Sequence, residues 1–138
     1  MKLIVFETRG IWAAALRRVL PHDALQVRET RSLAECEAEL AAAPASFVVA
    51  ELDRGNGPLL MERLSNWRRR MPKCALAVVA GRDLADWRPA MLEAGAMLTV
   101  FSPRKPYDLV VALRRCLARH PQPPGSIADR IWSELPLN

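Results

Sequence analysis

Apolar and polar positions alternate along this chain in two rhythms. Residues 2–7 (KLIVFE), 46–52 (SFVVAEL), 74–80 (CALAVVA) and 96–101 (AMLTVF) are short, nearly unbroken apolar runs, rich in branched side chains. That is the pattern of strands covered on both faces. Residues 25–29 (LQVRE) instead alternate apolar and polar, as an edge strand does. Between these runs the spacing becomes helical. Residues 10–20 place Ile11, Trp12, Ala15, Leu16, Val19 and Leu20 together, with Arg17 and Arg18 outside and Pro21 as a stop. Ser32 and Glu35 form a capping-box pair before a helix that runs to about Ala43. Pro58 opens a helix that closes on Arg68, Arg69 and Arg70, cations suited to a helix C-terminus. A short helix near 86–94 ends at Gly95, and a last one, about 106–119, turns Leu109, Val110, Leu113 and Leu117 inward.

Five strands alternating with five helices predict an α/β domain, a doubly wound parallel sheet with helices on both faces. For five strands the flavodoxin-like order 2-1-3-4-5 is expected, with the weakly patterned second strand at an edge. The domain spans residues 1–120. PQPPGS (121–126) reads as a linker, and residues 127–138 as a short tail with Ile127, Ile131, Trp132 and Leu135 on one face. That tail either docks on its own domain or seeks a partner, including a second copy.

Composition narrows the functions. The 138 residues are 51% hydrophobic and 25% charged, enough for a core without disulfide or metal staples. No apolar run is long enough to span a bilayer, and the N-terminal run is too short for a signal-peptide core. Cys36, Cys74 and Cys116 are scattered and form no CxxC, which predicts buried thiols in a reducing, cytoplasmic setting. Two histidines, His22 and His120, argue against a multi-histidine zinc site. The chain carries a formal charge of +5. Its basic clusters, Arg68–Arg70 with Lys73 and Arg114–Arg115 with Arg119, end helices and are followed by no nucleic-acid reader motif. Weak nucleic-acid binding is kept as an alternative.

In an open parallel sheet, ligands bind beyond the carboxyl ends of the strands. Here that rim holds Glu7, Thr8, Glu51, Asp53, Ala80, Gly81 and Ser102. Neither GxGxxG nor a Walker lysine is present, so a nucleotide site is not supported. AGAMLTVFSP (94–103), followed by a helix with Leu109, and FVVAELDRGNGPLL (47–60) give the chain its resemblance. Over residues 2–119 it resembles the CheY-like receiver domain of bacterial response regulators.

The resemblance implies a phosphorylation pocket, and this chain departs from it at each key position. The acidic pair that holds Mg²⁺ in the family falls on Glu7 and Thr8. The acceptor aspartate falls on Glu51, the switch hydroxyl on Ala80, the switch aromatic on Thr99 and the lysine on Ser102. The loop after Glu51 is about two residues shorter. A glutamate is one methylene longer than an acceptor aspartate and misses the in-line position, which tolerates only about 3–3.5 Å. One remaining carboxylate weakens Mg²⁺ binding. The hydroxyl of Ser102 supplies only a neutral hydrogen bond where the lysine supplied charge.

The reading is a degenerate receiver, not an enzyme, without metal or cofactor, that signals through protein contacts. A phosphorelay receiver using Asp53 or Glu51 is the alternative. By the same resemblance, the fourth helix, fifth strand and fifth helix form the face for a protein partner or self-association, with Trp87, Met91, Thr99, Arg104, Tyr107 and Arg114. The competing reading is that Trp87 and Met91 simply cover the sheet. Asp53 equally reads as a turn aspartate bonded to its own loop.

Overall fold

The computed structural model describes residues 2–20 and 26–119. The expected linker and tail, 121–138, lie outside the described residues, as do Pro21 and Leu25. Five parallel strands form one sheet: β1 (Lys2–Phe6), β2 (Gln26–Thr30), β3 (Phe47–Glu51), β4 (Ala75–Val79) and β5 (Leu98–Val100). Their order is β2-β1-β3-β4-β5, as expected, with β2 at an edge. The helices are α1 (Ile11–Val19), α2 (Leu33–Ala42), α3 (Gly57–Arg70), α4 (Arg88–Ala94) and α5 (Tyr107–Arg119).

The pleat sorts the strand residues into two cores. Leu3, Val5, Phe47, Val49, Ala77 and Val79 face α1 and α5, meeting Trp12, Leu16, Leu109 and Leu113. Ile4, Val48, Ala50, Leu76 and Val78 face the other layer, meeting Leu40, Leu60, Leu64, Trp67 and Met91. Because both faces are covered, the three central strands read as continuous apolar runs. Trp67 is fully buried, and its indole N–H donates to Glu37 at 3.1 Å. Glu37 also pairs with Arg63 at 3.3 Å, so a single acid joins α2 to α3.

Caps fix the helix ends. The Ser32 hydroxyl accepts from the Glu35 amide at 3.1 Å. The return bond of the box is displaced by one residue: the Glu35 carboxylate takes the Arg31 amide, also at 3.1 Å. At the end of α4, Gly95 has φ +117 and its amide bonds to Leu92, while Ala96 bonds back to Met91. This is a Schellman closure, which needs a residue tolerant of positive φ. It also consumes the Ala96 amide, so β5 is only three residues long where 96–101 was expected. The fourth helix likewise differs from 86–94. A 3₁₀ segment, Arg82–Trp87, precedes it, and the α-helix begins at Arg88, where Pro89 fits the first turn.

Candidate functional site

The carboxyl ends of β1, β3 and β4 and the loops after them enclose an open cleft of about 600 Å³. Thr8, Arg9, Trp12, Glu51, Asp53 and Ala80 are among its walls. Most polar groups at this rim have a structural partner close by.

Glu7 follows β1 and is fully buried. Its two carboxylate oxygens accept the backbone amides of Trp12 at 2.8 Å and Ala13 at 2.7 Å. These are first-turn donors of α1 that the helix itself leaves orphaned. The residue at the usual capping position, Gly10, has no side chain and sits at φ 77. The carboxylate thus performs the capping that a serine or aspartate would, and its charge suits the positive helix end.

Glu51, at the end of β3, is half-buried. Its Oε1 lies 3.4 Å from the Thr8 amide and 3.5 Å from the Thr8 hydroxyl, long contacts to exposed donors. Burial raises the carboxyl above its usual range; the Thr8 amide opposes the shift, and nearby Glu7 adds to it. Asp53 lies two residues further on. Its Oδ1 accepts the Gly55 amide at 2.8 Å, an Asx turn. Asn56 locks the same loop: its Oδ1 accepts the Asp53 amide at 2.9 Å, and its side-chain N–H donates to the Glu51 carbonyl at 3.0 Å. Across the mouth, Arg54 reaches Asp83 at 2.8 Å, which holds the Asp83 carboxyl below its usual range.

Ala80 is buried, its amide bonded to the Val100 carbonyl at 3.0 Å. The Ser102 hydroxyl turns to the amide of Arg104 at 3.4 Å, within its own loop. Among the described residues, no three histidine, cysteine or acidic side chains come together to hold a metal ion. The residues present do not fit Mg²⁺: Glu7 caps a helix, Asp53 holds a turn, and Glu51 is left with only long contacts to Thr8.

Of the surface expected around α4, β5 and α5, Arg104 and Tyr107 are exposed, and Thr99, Trp87 and Arg114 are half-buried. Met91 corrects the expectation. It is fully buried against the sheet, because its position on α4 puts it on the same stripe as Ala94. Thr99 accepts from Arg88 Nε at 3.1 Å, and that guanidinium lies 5.1 Å from the centre of the Phe101 ring. The sequence reading had not singled out Arg88, Asn56 or the Arg54–Asp83 pair. Asn56 carried one usable signal, its place just before Gly57-Pro58 at a helix start.

No family model matches the chain, and no curated protein is significantly similar to it. Solved structures do resemble it. A CheY-like protein, TadZ, from Pseudomonas aeruginosa PAO1 superposes with a TM-score of 0.68 at 19% identity, over 84% of this chain and 99% of that one. A CpaE2 pilus assembly protein from Sinorhizobium meliloti 1021 gives a TM-score of 0.62 at 20% identity, with the same coverage of both chains. The fold is CheY-like. The rim cleft is lined by Glu51, Asp53 and Ala80, on which the sequence resemblance places the phosphorylation pocket. Of the polar groups lining it, Asp53 bonds its own loop and Arg54 bonds Asp83. No described helix is long and apolar enough to cross a membrane.

Proposed function

We propose that this chain is a receiver-like signalling module that acts through protein–protein contact, without phosphotransfer and without enzymatic activity of its own. The observation that carries this reading is the engagement of Glu7. Both of its oxygens are taken by α1 amides, so the acid that would bring Mg²⁺ to the rim is spent on holding a helix. What remains at the acceptor position, Glu51, faces neither a lysine nor a switch hydroxyl, because Ser102 and Ala80 stand there. Asp53 as a substitute acceptor would first have to release the Gly55 amide and open its turn.

A fixed α/β frame with an inert rim leaves its surfaces to carry information. We place the partner on α4, β5 and α5, where Tyr107 and Arg104 are exposed and the Arg88 guanidinium lies over the Phe101 ring. That one structural neighbour is named as a pilus assembly protein supports an assembly role over a relay role.

The test is incubation of the full chain with acetyl phosphate, or with beryllofluoride, in the presence of Mg²⁺, read by intact-protein mass spectrometry. No adduct is expected. A stoichiometric adduct at Glu51 or Asp53 overturns the reading and restores a phosphorelay.

A further inference from the structure

At the opposite, amino edge of the sheet lies a second cleft of about 550 Å³. Its apolar surface comes from Pro72, Ala75 and Met97, and Met97 is 43% exposed. Arg68, Lys73 and Arg119 surround it, no acidic side chain lines it, and none of the three is in an ion pair among the described residues. Arg68 and Arg119 sit in the last turns of α3 and α5, where cations balance the helix dipole. Lys73 belongs to no helix, and the dipole does not account for it or for the exposed apolar surface.

The chain itself supplies a matching segment. It leaves the described structure at Arg119, a wall of this cleft, and continues through seven residues, 120–126, to Ile127. Seven residues reach up to about 23 Å, enough to return to the cleft they started from. Residues 127–138 carry Ile127, Ile131, Trp132 and Leu135 together with two acids, Asp129 and Glu134, against one base, Arg130. Apolar groups flanked by acid are the complement of an apolar surface flanked by cations. A tether this short holds the segment at an effective concentration on the order of millimolar.

We propose that residues 127–138 dock intramolecularly in the amino-edge cleft, with apolar side chains over Pro72, Ala75 and Met97 and acids toward Lys73 and Arg119. Met97 also lines the groove between β5 and α5, so the docked segment borders the proposed partner face. The docking does not depend on the absence of phosphotransfer.

Cys74, half-buried in the wall of the cleft, is a native probe, and Cys116 lines the same cleft. The experiment takes the full chain with Leu135→Cys, oxidises it mildly and maps disulfide-linked peptides in the monomer fraction. A link from the introduced thiol to Cys74 or Cys116 is expected. Adding Lys73→Glu with Arg119→Glu lowers its yield about tenfold, and Asp129→Lys with Glu134→Lys in the same chain restores it. Thermal melts confirm that each variant is folded, and Trp132→Cys serves if Leu135→Cys does not express. Absence of a link within the monomer, or a yield indifferent to charge reversal, overturns the proposal. Links found only between two chains also overturn it and assign the cleft to a second copy.

Discussion

The two ends of the sheet handle charge in opposite ways. At the carboxyl end, acids and amides are matched at short range: Glu7 with Trp12 and Ala13, Asp53 with Gly55, Arg54 with Asp83. At the amino end, three cations surround a cleft with no acid in its walls. In an open parallel sheet the carboxyl end is where ligand chemistry is expected. Here the acids at that end are held by the protein's own groups, while Arg68, Lys73 and Arg119 at the other are in no ion pair among the described residues. A rim whose polar groups are already hydrogen-bonded has little to offer a ligand, because each bond to it must first break one inside the protein. The amino end has no such cost.

The strongest way to break this contrast is at Glu7. If its carboxylate is structural, Glu7→Ala strands two amides in a buried helix start. The loss is about 3–5 kcal/mol, two charge-assisted bonds together with the cavity. It is read as a lower urea midpoint at unchanged slope. Glu7→Gln keeps one acceptor and costs roughly half as much. Were Glu7 instead one of a set of mutually repelling metal ligands, removing it would stabilise the metal-free chain. A gain in midpoint on Glu7→Ala therefore ends the structural account of the rim.

Glycine substitutions probe the two ends at smaller amplitude. A Cβ on Gly57, at the start of α3, would lie 2.7 Å from Cζ2 of Trp87. Because an indole is rigid, Gly57→Ala displaces it, at a cost of about 1–3 kcal/mol and with a change in tryptophan fluorescence. At the amino end, Gly95→Ala forces a side chain into φ +117, a strain of about 1–2 kcal/mol. The neighbour it meets is the flexible Arg68 side chain, which can move aside. Denaturant midpoints for the pair should rank Gly57→Ala at or below Gly95→Ala. A neutral Gly57→Ala removes the Trp87 contact from the account.

These particulars also mark what could be read from the sequence. β1, β3 and β4 were legible because covered sheet faces demand apolar runs, and the Ser32 and Gly95 caps because each depends on neighbours within a few residues. The role of Glu7 was not legible. It exists only because the chain turns through a left-handed Gly10 and brings the α1 amides back beneath the carboxylate. Arg54 and Asp83 stand 29 residues apart and meet only once β3 and β4 pair. The basic runs at 68–73 and 114–119 read as two separate helix ends. That Arg68, Lys73 and Arg119 share one cleft follows from the sheet order, which no local pattern states. Met91 was within reach, since its helical spacing from Ala94 already predicted the inward stripe.

The finest test of the contrast uses pH at Glu51, the rim acid held only by long contacts to Thr8. Burial raises its folded pKa above the usual 4.5. The native state therefore binds the Glu51 proton more tightly than the unfolded chain does. The sign follows from linkage: the stabilisation is fully present below pH 4.5 and is lost as pH rises through the folded value. At pH 7 the ionised carboxylate is mildly destabilising, so Glu51→Gln should raise stability there. The gain stays under ~1 kcal/mol because solvent reaches the group. At pH 4 the same substitution should be silent. Urea midpoints for the two proteins at pH 4 and pH 7 separate the cases. If Glu51→Gln is instead destabilising at pH 7, the carboxylate is held by a favourable partner, the rim contains a charge-binding site after all, and the two ends of the sheet cease to differ in kind.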